Sequence, residues 1–215
     1  MLIPFVIVAS LVPGSYWHTA MSSSPPLAVR AADAHVREDS GLQDERRVAL
    51  RLKAHAHIEA ERSRFSEFEL TDIEARYRSA HGEQLRFIRR PEGVAILEEL
   101  IERYPGSNRA GCAVLELARL SSGVTRERYL RKAIANHSGA WFETGVQVGA
   151  LARAMLAVHL AGLERFDEAE RVAAELLTMF QGSIDDSGAP LDDVLESIRL
   201  LRTPKGGARR RPVSL

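Results

Sequence analysis

The sequence predicts an all-α fold in which antiparallel helical hairpins stack into a short solenoid, with an extra helix at each end. Two observations predict it. Helix start and stop signals recur along the chain, while alternating strand patterns enriched in Val, Ile and Thr are absent from its 215 residues. A stretch of eleven residues also recurs three times without gaps, which is how stacked helical hairpins show themselves in sequence.

Taken in order, residues 13 to 40 are rich in Ser, Pro, Gly and Ala and read as a linker. Ser40-Gly41-Leu42-Gln43 has the pattern of a capping box, which predicts a charged helix from Leu42 toward Phe68, within a segment bounded at 41–70. Thr71 with Glu74 repeats the pattern for a second helix that must end before Pro91. Pro91 suits the first position of a helix over Glu92 to Tyr104, and Pro105-Gly106 stops it. Ser107 or Asn108 caps a helix from Arg109 to about Leu120; Ser121-Ser122-Gly123 turns the chain into a helix from Thr125 to Asn136. A long helix from about Ala140 to Ala161 comes next, ended by Gly162. Asp167 with Glu170 opens a helix to Phe180; Asp185 to Gly188 is a loop, and Pro190 starts a last helix toward Leu201. The repeats thus occupy 71–183, a capping helix 184–203 and a basic tail 204–215.

The recurring stretches are Leu97 to Ser107, Leu130 to Ala140 and Ala173 to Ser183, spaced by 33 and 43 residues. Each carries small or apolar residues where two helices would meet, then an aromatic or His, then a turn. The first spacing is close to the period of about 34 residues of tetratricopeptide repeats, and the long helix 140–161 is expected to absorb the excess of the second. Ala157, Leu160, Phe166, Ala169, Ala173 and Leu176 fall at small and large positions of that motif, and Leu163 to Ala169 looks like its inter-helix turn. Over about residues 72 to 183 the chain therefore resembles the tetratricopeptide family, in particular repeats of bacterial envelope proteins. Arg153 stands where the family has a first-helix Trp, and Ser138 and Gln181 where it has a terminal Pro. The resemblance implies a protein-binding solenoid and says little beyond that.

Composition narrows the function. Lys+Arg and Asp+Glu both number 29, so the basic excess of a nucleic-acid binder is missing, and no nucleic acid is expected as a partner. Cys112 is the single cysteine, which excludes an intrachain disulfide. Met1 to Val12 is almost wholly apolar, too short at about 12 residues to span a bilayer but like the core of a secretory signal. Residues 1–20 are read as that signal and 21–40 as linker, giving a periplasmic or secreted protein without a stable transmembrane anchor; a true start at Met21 would make it cytoplasmic.

Chemistry-bearing residues are scattered. His55 and His57 are two apart, which on a helix points them to nearly opposite sides, and His81, His137 and His159 stand alone, so no metal site is expected. Cys112 sits among Gly111, Ala113, Val114 and Leu115 as a small core residue. Asp185, Asp186, Asp192 and Asp193 lack calcium-loop spacing, and no glycine-rich phosphate loop is present. No catalytic residue and no cofactor is assigned. Pairs such as Asp72/Arg76, Glu74/Arg78, Glu99/Arg103 and Glu127/Arg131 read as solvated helix faces. The expected function is a non-catalytic protein–protein interaction scaffold. An accessory subunit of an envelope complex, acting through its outer surface, is the second reading; a hydrolase is the third. The helix 140–161 is apolar around most of its circumference, and motif placement puts Leu151, Ala154, Val158 and Ala161 on the partner-binding groove. Either helix 42–68 or a partner must then cover them.

Overall fold

The computed structural model describes residues 27–81 and 91–202, with the side chains of the first helix described from residue 43. The expected signal segment 1–20 and the basic tail with Arg209, Arg210 and Arg211 lie outside the described residues. Eight α-helices make up the described chain: α1 (Leu27–Glu61), α2 (Glu67–His81), α3 (Pro91–Arg103), α4 (Asn108–Leu120), α5 (Gly123–Asn136), α6 (Val148–Gly162), α7 (Phe166–Met179) and α8 (Val194–Arg202). No strand occurs among the described residues. By packing, Met1–Asp39 and Ser40–Leu215 are separate units; of the first, the described part is the opening of α1. In the second unit, each helix from α2 to α8 packs on its sequence neighbours, α6 also touches α4 and α8, and the arrangement is a helical repeat.

The three recurring stretches are the ends of α3, α5 and α7, and they match bond for bond. Leu97, Leu130 and Ala173 are all fully buried, as are Leu100, Ala133 and, within a percent, Leu176. The three helices close the same way: Tyr104 N–H donates to Leu100 O (3.0 Å), His137 to Ala133 (3.0 Å) and Phe180 to Leu176 (2.9 Å). One turn later Ser107, Ala140 and Ser183 donate back to Tyr104, His137 and Phe180 at 2.9, 3.0 and 3.1 Å. Leu100, Ile101, Leu115, Leu130, Leu156, Leu160 and Leu176 are buried in the core; Ile134 packs against it from a half-buried position, and Leu177 is half-buried.

The extra length of the second unit is in a loop, which corrects the expected helix 140–161. After Ala140 the chain makes an excursion over 141–147 and returns, Val148 N–H donating to Ala140 O at 2.9 Å. The excursion is a miniature hairpin: Phe142 N–H donates to Val146 O, and Gly145 N–H to Phe142 O. Forty-three residues on, it recurs: Leu191 N–H bonds Ser183 O, Asp185 N–H bonds Ala189 O, and Gly188 N–H bonds Asp185 O. The third loop residue needs a positive φ to close a turn of this kind, and glycine supplies it at both places, Gly145 at 91° and Gly188 at 86°. The second excursion also holds Pro190, bridged to Ile184, so α8 begins at Val194 and not at Pro190.

Two other boundaries differ from expectation. α1 starts at Leu27, inside the expected linker, and runs through Ser40 and Gly41. The Ala- and Arg-containing stretch 27–39 is a good helix former, and one interior glycine costs only about 1 kcal/mol, so the capping pattern there is overridden. The chain leaves α1 at Glu61, takes one 3-10 turn over Arg62–Arg64, and enters α2 at Glu67. The box that starts α2 is Ser66 with Glu69: Ser66 N–H donates to Glu69 Oε2 (2.8 Å) and Glu69 N–H to Ser66 Oγ (3.3 Å). Thr71 lies inside the helix and returns its hydroxyl to Glu67 O.

The described part of α1 in this unit lies on the connections, not along the hairpin helices. Arg46 pairs with Asp192 (3.7 Å) and Arg47 donates to Ser187 O (3.0 Å) on the α7–α8 connection. Leu50 and Arg51 lie against Gly145 on the α5–α6 connection. Glu61 and Arg64 meet Asn108 and Gly106 on the α3–α4 turn. From Arg47 to Glu61 the helix rises about 21 Å, roughly two steps of the usual 8–10 Å spacing between packed helices. α1 and the 3-10 turn that follows it therefore reach three alternate connections, α3–α4, α5–α6 and α7–α8.

A methyl group at Gly145 would sit 2.9 Å from the backbone nitrogen of Arg51, whereas at Gly123, also at positive φ, it would meet nothing. Gly145→Ala is expected to cost about 2–4 kcal/mol and Gly123→Ala about 1–2 kcal/mol in chemical denaturation. Equal losses would show that α1 does not press on the excursion.

Candidate functional site

α1 has two working faces. Leu50, Ala54 and Glu61 are buried toward the connections, with His57 and Ile58 half-buried among them. Val48 and Leu52, one turn apart, are instead 55% and 67% exposed. They open onto a cleft of about 1120 Å³ in the angle between α1 and α2. Leu70, Thr71, Ile73, Glu74, Ala75 and Arg78 form the α2 wall, and Asn108, Arg109 and Glu143 contribute from the start of α4 and the first excursion.

The end of the cleft at α4 is built around Asn108 and Arg109. The Asn108 side chain behaves like a strand partner for Trp141: its Nδ2 donates to Trp141 O (2.8 Å) and its Oδ1 accepts from Trp141 N–H (2.7 Å). Its backbone N–H donates to Glu61 Oε1 at 2.6 Å. Glu61 thereby places a carboxylate at the amino end of α4, where the first-turn donors and the helix dipole favour it. Burial pushes the Glu61 carboxyl above its ordinary value, against the opposing pull of the Asn108 bond and of Arg64 and Arg109. Arg109 donates to both Glu74 oxygens (2.6 and 3.1 Å) and to Glu143 (2.5 Å), and lies over the Tyr77 ring at 4.6 Å. Burial works against its charge, and the bonds to the two glutamates outweigh that and hold it charged.

Other singled-out residues serve the fold. Cys112 is fully buried, donates to Trp141 O at 3.4 Å, and has its thiol pushed up to about 12 by burial, which suppresses the thiolate. Arg153 is buried in the position where the resemblance expects Trp; it bonds Gly149 O and Ser138 Oγ and covers the Phe180 ring at 4.9 Å. Asp185 folds its own excursion by accepting from Ser187 N–H and Ala189 N–H. Asp72/Arg76, Glu74/Arg78 and Glu127/Arg131 form at 3.0, 3.8 and 2.8 Å. Glu99 reaches across to Arg76 at 2.8 Å, and Arg103 to Asp72 at 3.6 Å, tying α3 to α2. His55 is exposed and His57 half-buried beside Gly139; among the described residues no group of His, Cys, Asp and Glu is placed to hold a metal ion.

Leu151, Ala154 and Ala161, expected on a partner groove, are 6%, 5% and 4% exposed, and Val158 is 50% exposed. α4, α5, α7 and α8 pack around their helix. The sequence reading overlooked the α1–α2 cleft. The signal for it was a second apolar spacing on α1, Val48 and Leu52, out of phase with Leu50 and Ala54. No helix of the described residues is long and apolar enough to cross a membrane. No family model matches the chain, and no curated protein or solved structure is significantly similar to it.

Asn108→Ala strips both Trp141 backbone groups of their side-chain partner and is expected to cost about 2–4 kcal/mol by chemical denaturation. Glu61→Gln keeps an oxygen for the Asn108 N–H and removes the buried charge. The Glu61 carboxyl is raised on folding, so its ionisation opposes folding at neutral pH; that penalty disappears as pH falls through the raised value toward the ordinary one. The variant should therefore match or exceed the natural chain at pH 7 and lose that advantage near pH 4.5. Denaturation midpoints across this range test it, and a variant markedly weaker at pH 7 would show that the carboxylate is needed as a cap.

Proposed function

We propose that this chain is a non-catalytic, tetratricopeptide-like scaffold that holds a protein or peptide in the cleft between α1 and α2. The observation that carries the reading is the pair of exposed apolar side chains, Val48 and Leu52, facing Leu70 and Ile73 across a 1120 Å³ cleft with charged edges. Apolar area grouped in a concavity and rimmed by charge marks a place where another molecule is buried. Supporting the repeat assignment, Ala157, Leu160, Ala169, Ala173 and Leu176 occupy motif positions in the core. The apolar Met1 to Val12 segment supports export to the cell envelope. The face of α6 with Leu151, Ala154 and Ala161 serves internal packing in this reading.

A second reading, an accessory subunit working through its outer surface, is favoured by Val124 and Leu163, 85% and 51% exposed at the opposite end of the hairpins.

A displayed library of random peptides panned on the full chain separates the two. Enriched peptides should lose at least tenfold in affinity with Leu52→Glu and be unaffected by Val124→Glu, while the melting temperature stays unchanged. Peptides indifferent to Leu52→Glu, or no enrichment at all, would sink the cleft reading.

A further inference from the structure

We infer that the occupant of the α1–α2 cleft is a short amphipathic helix of a partner protein, lying with its amino end in the corner where α1 turns into α2. This rests on the reading of the cleft as a binding site.

Three observations carry it. The first is volume. A helix about 10–12 Å across fills 1120 Å³ over about 10–14 Å, which is about seven to ten residues, two to three turns.

The second is the nature of the walls. Val48, Leu52, His55 and Glu59 recur on α1 at helical spacing, and Leu70, Glu74 and Arg78 do so on α2, so each wall is a ridge of side chains. Ridges of this kind accept the ridges of another helix. They offer an extended peptide nothing for its backbone: the backbone donors and acceptors of both walls are spent within α1 and α2, and the Asn108 amide is committed to Trp141. An extended segment pressed against Val48, Leu52, Leu70 and Ile73 would bury unpaired N–H and C=O groups, which costs more than the contact returns. A helix arrives with those groups already bonded.

The third is charge. Arg51 and Arg78 lie ten and eleven residues out from the corner on their two walls; Arg78 pairs with Glu74 at 3.8 Å, so Arg51 is the cation the mouth offers. The corner carries Glu59 and Glu67, with Arg62 drawn to Glu59 at 3.4 Å. Among the described residues Arg51 and Glu67 enter no ion pair. The positive end of a helix dipole fits Glu67 in the corner, and an acidic side chain on the outer turn fits Arg51.

The test uses the library peptides that depend on Leu52. They should carry apolar residues at i, i+3 or i+4, and i+7, with acids toward the carboxyl end, and should gain helical circular dichroism when bound to the full chain. A central proline should weaken them at least thirtyfold. Arg51→Glu should weaken them about tenfold, and exchanging peptide acids for lysines should restore binding to that variant. Leu52-dependent peptides that bind extended and tolerate proline would overturn the helical occupant and leave the cleft reading standing. Helical peptides indifferent to Arg51→Glu would overturn the orientation. Loss of Leu52 dependence overturns the cleft reading instead.

Discussion

Asn108 is the junction on which the arrangement of the amino-terminal half depends. It is the first residue of α4, so its backbone N–H has no partner within the helix, and Glu61 at the end of α1 takes it. Its side chain has two groups to satisfy in a buried place, and the backbone of Trp141 satisfies both. One residue thus fixes the end of α1, the start of α4 and the first excursion relative to one another. Arg109 beside it extends the junction outward to Glu74 on α2 and Glu143 on the excursion. The cleft has its shape because these four segments are bound at one point.

The fold class was legible because repeated burial leaves repeated residues. Leu97, Leu130 and Ala173 are aligned in sequence, and each is fully buried at the same point of a helix end. Single helices were legible where a residue has one favoured place, as Pro91 has at the first position of α3 and Ser107 at the cap of α4. The excursion 141–147 was hidden by its composition. Trp141, Phe142, Val146 and Val148 continue an apolar run into α6, and only Gly145 at positive φ marks the break. Comparison with Ser183 to Leu191 would have exposed it, since Gly145 and Gly188 align at the same 43-residue offset as the helix ends.

The α1–α2 cleft was not legible, for a physical reason. Motif placement put the groove on α6, where Leu151, Ala154 and Ala161 are buried, Val158 is exposed, and the helix as a whole packs against α4, α5, α7 and α8. A helix that is apolar all round is a core element first. The apolar side chains that open onto the cleft, Val48 and Leu52, lie on α1, whose average character is polar and charged. Its two narrow stripes differ by a fraction of a turn, and which of them faces the protein depends on long-range partners such as Gly145 and Asn108.

α1 is therefore a part with two duties. Its inner face lies on three connections and sets their spacing; its outer face forms one wall of the cleft. The anchors are unequal. Toward the corner it is held by the buried Glu61–Asn108 bond, and at the far end by the half-exposed Arg46–Asp192 pair and the Arg47–Ser187 bond. Exposed pairs of that kind contribute little, about 0–1 kcal/mol, and less in salt. Between the two ends, Leu50 and Ala54 are buried and Leu50 and Arg51 lie against Gly145. Val48 and Leu52 on the cleft wall and Leu50 and Arg51 against Gly145 belong to one stretch of α1, so the same helix shapes the cleft and seats the first excursion.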